Sequence, residues 1–160
     1  MDDAKSKTIF FKRSHFATHL PAEALYSPSH YWLMPEADGR WRVGFSKFAV
    51  RMLGDLVDQS FEVEPGAAVK PGTVLGWIEG FKAISDIYGV VDGIFHGGNP
   101  SLRGQLEQIH EAPYTTGWLY RVSGQPASNC MPVQDYANLL NATIDRMLDQ
   151  SKDSPPPTSP

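Results

Sequence analysis

The chain has one cysteine, Cys130, among its 160 residues. No internal disulfide can form, and no cysteine cluster can hold a metal. Catalytic signatures are equally scarce: there is no GxGxxG after a strand-like run, no Walker loop, no G-x-S-x-G and no H-E-x-x-H. No apolar run approaches the ~20 residues a membrane helix needs. The first seven residues lack both a signal peptide's apolar stretch and an Arg-rich transit pattern. A formal charge of −4 argues against a nucleic-acid scaffold, which is usually basic. These absences predict a cytoplasmic protein with no membrane or nucleic-acid partner, and one that is not itself an enzyme.

What is present describes an ordinary globule, 41% apolar and 20% charged, long enough for one cored domain. Residues 1–24 lack clear periodicity and read as an N-terminal extension, partly packed through Phe10, Phe11 and Leu20. The domain proper spans 25–150. Tyr31–Met34 and Trp41–Phe45 are strand-like, separated by the turn sequence Pro-Glu-Ala-Asp-Gly. Ser46 offers an N-cap to a short helix ended by Gly54. Residues 61–97 form short strands broken by glycine every few positions, a pattern suited to a small sandwich or partly closed barrel. Residues 99–111 read as a loop with one helical turn, and Gly117–Val122 as another strand. Val133–Gln150 carries an apolar stripe of Tyr136, Leu139, Leu140, Ile144, Met147 and Leu148, the mark of an amphipathic helix. The Pro/Ser-rich tail, 151–160, is expected to be disordered.

Candidate chemistry is sparse. His15 and His19 are spaced to share a helix face, but no third metal ligand stands nearby. His30, His96 and His110 are isolated, and Cys130 reads as a small packing group. Lys82 differs. It lies in Gly76-Trp-Ile-Glu-Gly-Phe-Lys-Ala-Ile-Ser-Asp-Ile-Tyr88, between two short apolar runs, where Gly80 allows a tight turn. A lysine at a hairpin tip is ordinary solvated surface when taken alone. Here Glu79, Asp86 and Asp92 add local negative charge that a modifying enzyme can read electrostatically.

From Tyr26 to Leu148 the chain resembles the glycine-cleavage H protein family. Ser29-His30-x-Trp32 matches S-H-E-W, Val43-Gly44-Phe45 matches V-G-I, and Leu53-Gly54-Asp55 matches L-G-D. Gly66-x3-Lys70-x-Gly72 and Gly76 keep the family spacing. Glu79-x-x-Lys82-Ala83-x-Ser85-Asp86 matches E-S-V-K-A-x-S-D, Gly93 and Asn99-x-x-Leu102 follow in step, and Pro113-Tyr114-x-x-Gly117-Trp118 matches P-Y-x-x-G-W. The resemblance implies a mainly β fold with minor α, a lipoyl-domain-like hammerhead or barrel-sandwich hybrid with a C-terminal helix. It implies lipoic acid joined through an amide to Lys82, with the dithiolane as the carrying centre. Glu79 and Asp86 would then serve recognition by a lipoate ligase or lipoyl transferase, with Ser29 near the arm. Partners would be glycine decarboxylase, aminomethyltransferase and dihydrolipoyl dehydrogenase. Biotin is disfavoured, because Phe81 and Ala83 stand where its pattern places methionines.

Several positions depart from the family. The acid of S-H-E-W, associated with the loaded aminomethyl arm, is Tyr31, and a phenol cannot pair with an amine as a carboxylate does. Tyr31→Glu is accordingly expected to raise aminomethyl retention. D/E-x-A-Q becomes Lys47-Phe48-Ala49-Val50, a position that is His in some members is Met52, Ser-Val becomes Gly80-Phe81, and N-P-E-L-V-N becomes Gln105–His110. This split leaves two alternatives: a paralogue carrying sulfur for a heterodisulfide-reductase-like sulfur-oxidising complex, or an unmodified interaction module of the same fold.

Overall fold

The computed structural model describes residues 7–153. In chain order the strands are β1 (Thr8–Arg13), β2 (Phe16–Pro21), β3 (Leu25–Tyr26), β4 (Tyr31–Pro35), β5 (Arg40–Phe45), β6 (Leu56–Phe61), β7 (Ala68–Val69), β8 (Val74–Gly80), β9 (Ile84–Tyr88), β10 (Val91–Gly98) and β11 (Tyr120–Pro126). The α-helices are α1 (Lys47–Leu53), α2 (Gln108–Glu111) and α3 (Val133–Asp153). A six-stranded sheet runs β3-β4-β5-β11-β10-β7, a three-stranded sheet runs β6-β8-β9, and β1 pairs only with β2. Among the described residues these sheets stay separate. The architecture is therefore a mainly β sandwich with minor helix, as expected, but the strands do not close into a barrel.

Period-two alternation in both larger sheets turns one face inward. Leu33, Val43, Phe45, Phe95 and Val122 of the larger sheet meet Leu75, Ile78 and Ile87 of the smaller one in a shared core. A second core joins β1 and β2 to the outer face of the domain: Phe11, Phe16 and Leu20 pack with Tyr26, Trp32, Phe48, Val133, Tyr136, Leu140 and Ile144. Tyr26 and Tyr136 stack at its centre, with ring centroids 4.6 Å apart.

Residues 8–21 of the partly packed extension form a hairpin that contributes to a core. Three expectations are corrected here. Phe11 and Leu20 are buried, but Phe10 is 58% exposed, because neighbouring residues of a strand face opposite ways. The last strand is Tyr120–Pro126, later than Gly117–Val122, and 117–119 belong to the preceding turn. Helix α3 continues to Asp153, since the first proline of the tail is Pro155; the rest of that tail, 154–160, lies outside the described residues, as do 1–6. Met147 and Leu148 extend the helix's apolar stripe yet are 41% and 40% exposed.

Candidate functional site

Helix α1 and the β8–β9 hairpin build the site together. Ser46 caps α1, its Oγ accepting from the Ala49 amide at 3.4 Å and standing 2.7 Å from the buried Tyr136 hydroxyl. Gly54 ends the helix at φ +77°, a conformation that favours glycine. The chain then re-enters β6.

Across the hairpin, Trp77 pairs with Asp86, Ile78 with Ser85 and Glu79 with Ile84, and the Gly80 amide donates to the Ala83 carbonyl at 2.9 Å. Phe81 and Lys82 occupy the tip. Neither has a positive φ, so the tip does not use the mirror-image turns that two-residue hairpins favour. It is held from outside instead. The Phe81 amide donates to the Asp55 carbonyl and the Lys82 amide to the Leu53 carbonyl, both at 2.9 Å. A Cβ on Gly80 would stand 2.1 Å from the Leu53 carbonyl oxygen, and one on Gly54 would stand 2.9 Å from Lys82 Cγ. The Leu53-Gly54-Asp55 motif is thus the platform on which the lysine turn docks.

The Lys82 backbone is fixed while its side chain stays exposed. Among the described residues its ammonium has one polar neighbour, the Arg51 carbonyl at 3.5 Å. Flanking it are Phe81, 81% exposed, and Ile84, 72% exposed. Two clefts meet at Lys82. One, of about 500 Å³, is bordered by Lys47, Arg51, Gly54, Asp55, Phe81 and His110. The other, of about 520 Å³, opens between the β1–β2 turn, α1 and α3.

The pairing register puts Glu79 and Asp86 on the outward face of the small sheet, in line with Trp77 and Ile84. Asp58 on β6 lies directly opposite Glu79 and joins them. Sequence reading missed Asp58 because Leu-Val-Asp-Gln-Ser-Phe lacks the apolar alternation of a half-buried strand. Asp92, in contrast, belongs to the larger sheet, opposite Gln125, and is not part of the hairpin. Ser29 is exposed beside Ser27, with the two Oγ atoms 2.9 Å apart, and it borders neither cleft.

Tyr31 is not on the surface. It is 2% exposed, stacks on Phe45 at 5.0 Å, and its hydroxyl accepts from the Tyr88 amide at 2.9 Å. Burial raises the pKa of its phenol. His30, at φ +75°, places Nδ1 2.8 Å from the Tyr136 hydroxyl, and burial lowers its pKa to about 4. His15 sits in the β1–β2 turn and His19 in β2, its ring 5.0 Å from that of Phe10 and tilted to it, so the pair rides a hairpin and not a helix. Cys130 packs against the main core, where burial raises its thiol pKa. His96 lies 2.8 Å from Ser123 Oγ. His110, isolated in sequence, reaches the rim of the Lys82 cleft.

Residues 24–143 match the family model described as Glycine cleavage H-protein. The chain belongs to the glycine cleavage H-protein family. It is 36% identical over 126 residues to the glycine cleavage system H protein of Salmonella typhimurium, covering 79% of this chain and 92% of that one. The corresponding protein of Pseudoalteromonas atlantica is 34% identical over 125 residues, covering 78% and 96%. A crystal structure of a glycine cleavage system H protein from Mycobacterium marinum superposes with a TM-score of 0.67 at 31% identity, covering 74% of this chain and 97% of that one. The family is one of non-enzymatic lipoyl carriers with lipoic acid held covalently on a lysine. Neither these relatives nor the structure supports the sulfur-carrying or unmodified alternatives. The β1–β2 hairpin lies outside the family match.

The hairpin tip fits such a group. An exposed lysine with no carboxylate partner among the described residues is free to be acylated, and the two clefts leave room for an arm on either side.

Proposed function

We propose that Lys82 is the lysine that carries lipoate, and that the chain serves as a cytoplasmic carrier between glycine decarboxylase, aminomethyltransferase and dihydrolipoyl dehydrogenase. The observation that carries this reading is the docked turn: two backbone amides tie Phe81 and Lys82 to the end of α1 while the side chain stays free. A modifying enzyme and successive partners then meet the same fixed geometry, and the arm alone moves. Lipoate, when joined there, supplies a reversible disulfide on a long flexible chain.

The protein's own contribution is presentation. Glu79 and Asp86 give the hairpin an acidic outer face, and Asp58 extends it across to β6. Placing Asp58 directly opposite Glu79 opposes like charges, which disfavours the sheet. An acidic face of this kind suits a binding role, recognition by the lipoate ligase or lipoyl transferase through a basic surface on the enzyme. On this reading Ser29 lies near the arm. The exposed Phe81 and Ile84 flank Lys82 as apolar contacts for a partner's entrance.

Intact-mass measurement tests the assignment. Protein from lipoate-replete cells should carry one lipoyl group, and Lys82→Arg should carry none. An unmodified wild-type mass, or a lipoylated Lys82→Arg protein, defeats it. Exchange of the glycine carboxyl carbon, with lipoylated protein offered to glycine decarboxylase, then tests the partner.

A further inference from the structure

Helix α1 has seven residues, about 10 Å of axis, and a helix that short needs outside support to hold its shape. Its C-terminal end carries the lysine turn through the Leu53 carbonyl. Its N-terminal end meets two tyrosines from distant parts of the chain. The Lys47 amide donates to the Tyr114 hydroxyl at 3.0 Å, and that hydroxyl stands 3.3 Å from Thr18 Oγ1. The Tyr136 hydroxyl stands 2.7 Å from the capping Ser46 Oγ and 2.8 Å from His30 Nδ1.

We propose that Tyr114 and Tyr136 are positioning residues for Lys82: they fix the N-terminal end of α1, and the helix passes that placement to the lysine turn. The consequence for loading rests on Lys82 being the attachment site. Apolar packing presses α1 into place without setting its position along its axis. Phe48 enters the second core, and Val50 and Leu53 enter the main one, but such contacts are non-directional. The hydroxyl contacts are directional, and they act on a helix end whose first amides have no partner within the helix.

Both tyrosines are themselves held. Tyr136 is fully buried and stacks on Tyr26. The segment carrying Tyr114 is pinned at Pro113, whose carbonyl accepts from Trp32 Nε1 at 2.9 Å. Burial keeps His30 neutral at pH 7, so its Nδ1 either donates to the Tyr136 oxygen or accepts from it. The rotatable hydroxyls of Tyr136 and Ser46 orient to match either case. Thr18 belongs to the β1–β2 hairpin, outside the family match. This chain thus adds a support for α1 that residues 24–143 do not contain.

Amide hydrogen exchange on the full-length protein tests the proposal, with an internal control. The Lys82 and Phe81 amides bond to the segment that ends α1, whereas the Gly80 amide bonds within the hairpin, to Ala83. Tyr136→Phe keeps the stacked ring and removes only the hydroxyl; Tyr114→Phe does the same for Lys47. Each should speed exchange at Lys82 and Phe81 by roughly five-fold or more relative to Gly80, the scale of one lost hydrogen bond. Tyr26→Phe loses a buried contact in the same stack, to the Pro21 carbonyl at 2.6 Å, and should leave that ratio unchanged. Lipoylation of the two variants should show a several-fold lower kcat, because the acceptor amine is misplaced, at an unaltered KM, because the acidic face is intact. An unchanged exchange ratio in both variants overturns the proposal. So does an equal rise in Tyr26→Phe, which would mark general loosening of the core, and so does an unchanged kcat in both variants. Wild-type protein that is never lipoylated overturns the Lys82 assignment instead, and the exchange ratio alone then decides the positioning role.

Discussion

Tyr31 offers the sharpest test, because sequence and structure give it opposite roles. The family pattern suggests that an acid at this position would face the arm, so that Tyr31→Glu restores a function. The structure places the ring in the core, stacked on Phe45, with its hydroxyl accepting from the Tyr88 amide. Tyr31→Phe keeps the ring and leaves that amide without its partner, which should cost about 1–2 kcal/mol. Tyr31→Glu loses the ring as well, and large aromatic truncations in a core cost about 3–5 kcal/mol. It also buries a carboxylate, whose folded pKa must rise above the unfolded value of about 4.3. The ionisation penalty is then present at neutral pH and is lost as the pH falls toward that unfolded value, by about 1.4 kcal/mol per unit. Urea denaturation of the two variants beside wild type at pH 7 and pH 5 measures each term. The Glu variant should be the less stable by several kcal/mol at pH 7 and should close part of the gap at pH 5. A Tyr31→Glu protein as stable as wild type at pH 7 would refute the buried placement and return this position to the arm.

Three further outcomes follow from the same geometry. His30 has a folded pKa of about 4 against an ordinary value of 6.5. Below pH 6.5 the unfolded chain therefore binds the extra proton, and stability should fall toward pH 4 by up to about 3 kcal/mol; denaturation midpoints for wild type and His30→Gln, which lacks the titration, check it. Asp58→Asn removes the like-charge pairing with Glu79 and should stabilise the fold by about 0.5 kcal/mol while slowing enzymatic lipoylation; faster lipoylation would reverse the role given to the acidic face. Gly54→Ala forces a side chain onto φ +77° and against Lys82 Cγ, a strain of about 1–3 kcal/mol. Hydrogen exchange at the Lys82 amide should accelerate; unchanged protection would mean that the turn does not depend on the Leu53-Gly54-Asp55 platform.

Much of this was legible in the residues. Ser46 and Gly54 bracket α1 as cap and stop because both act locally, through one side-chain oxygen and one left-handed backbone position. Trp41–Phe45 and the long α3 announced themselves by period. The misses share a physical cause, dependence on contacts distant in sequence. The β1–β2 hairpin turns at Ser14 with φ +56°, without the Asn-Gly or Asp-Gly signal that marks such turns, and is secured by packing on α3. Asp58 joins the acidic face only through a pairing register. Tyr31 could be compared with an acid only by alignment; its burial depends on Phe45 and on an amide 57 residues away.

On the reading that Lys82 carries lipoate, the same distinction separates the attachment site from its surroundings. The lysine turn is held by backbone: carbonyls of Leu53 and Asp55 receive the amides of Lys82 and Phe81. Such contacts constrain the glycines that permit close approach and leave the nearby side chains free to vary. Lys47, Met52, Phe81 and His110 all lie within that freedom, bordering one or the other cleft beside Lys82. Substitutions among them alter what an arm or a partner encounters without moving Lys82. A change at Gly54 or Gly80 moves Lys82 itself. Presentation of the lysine and the chemistry of its surroundings are therefore separable by mutation, and variants of the first kind should alter loading while those of the second alter recognition.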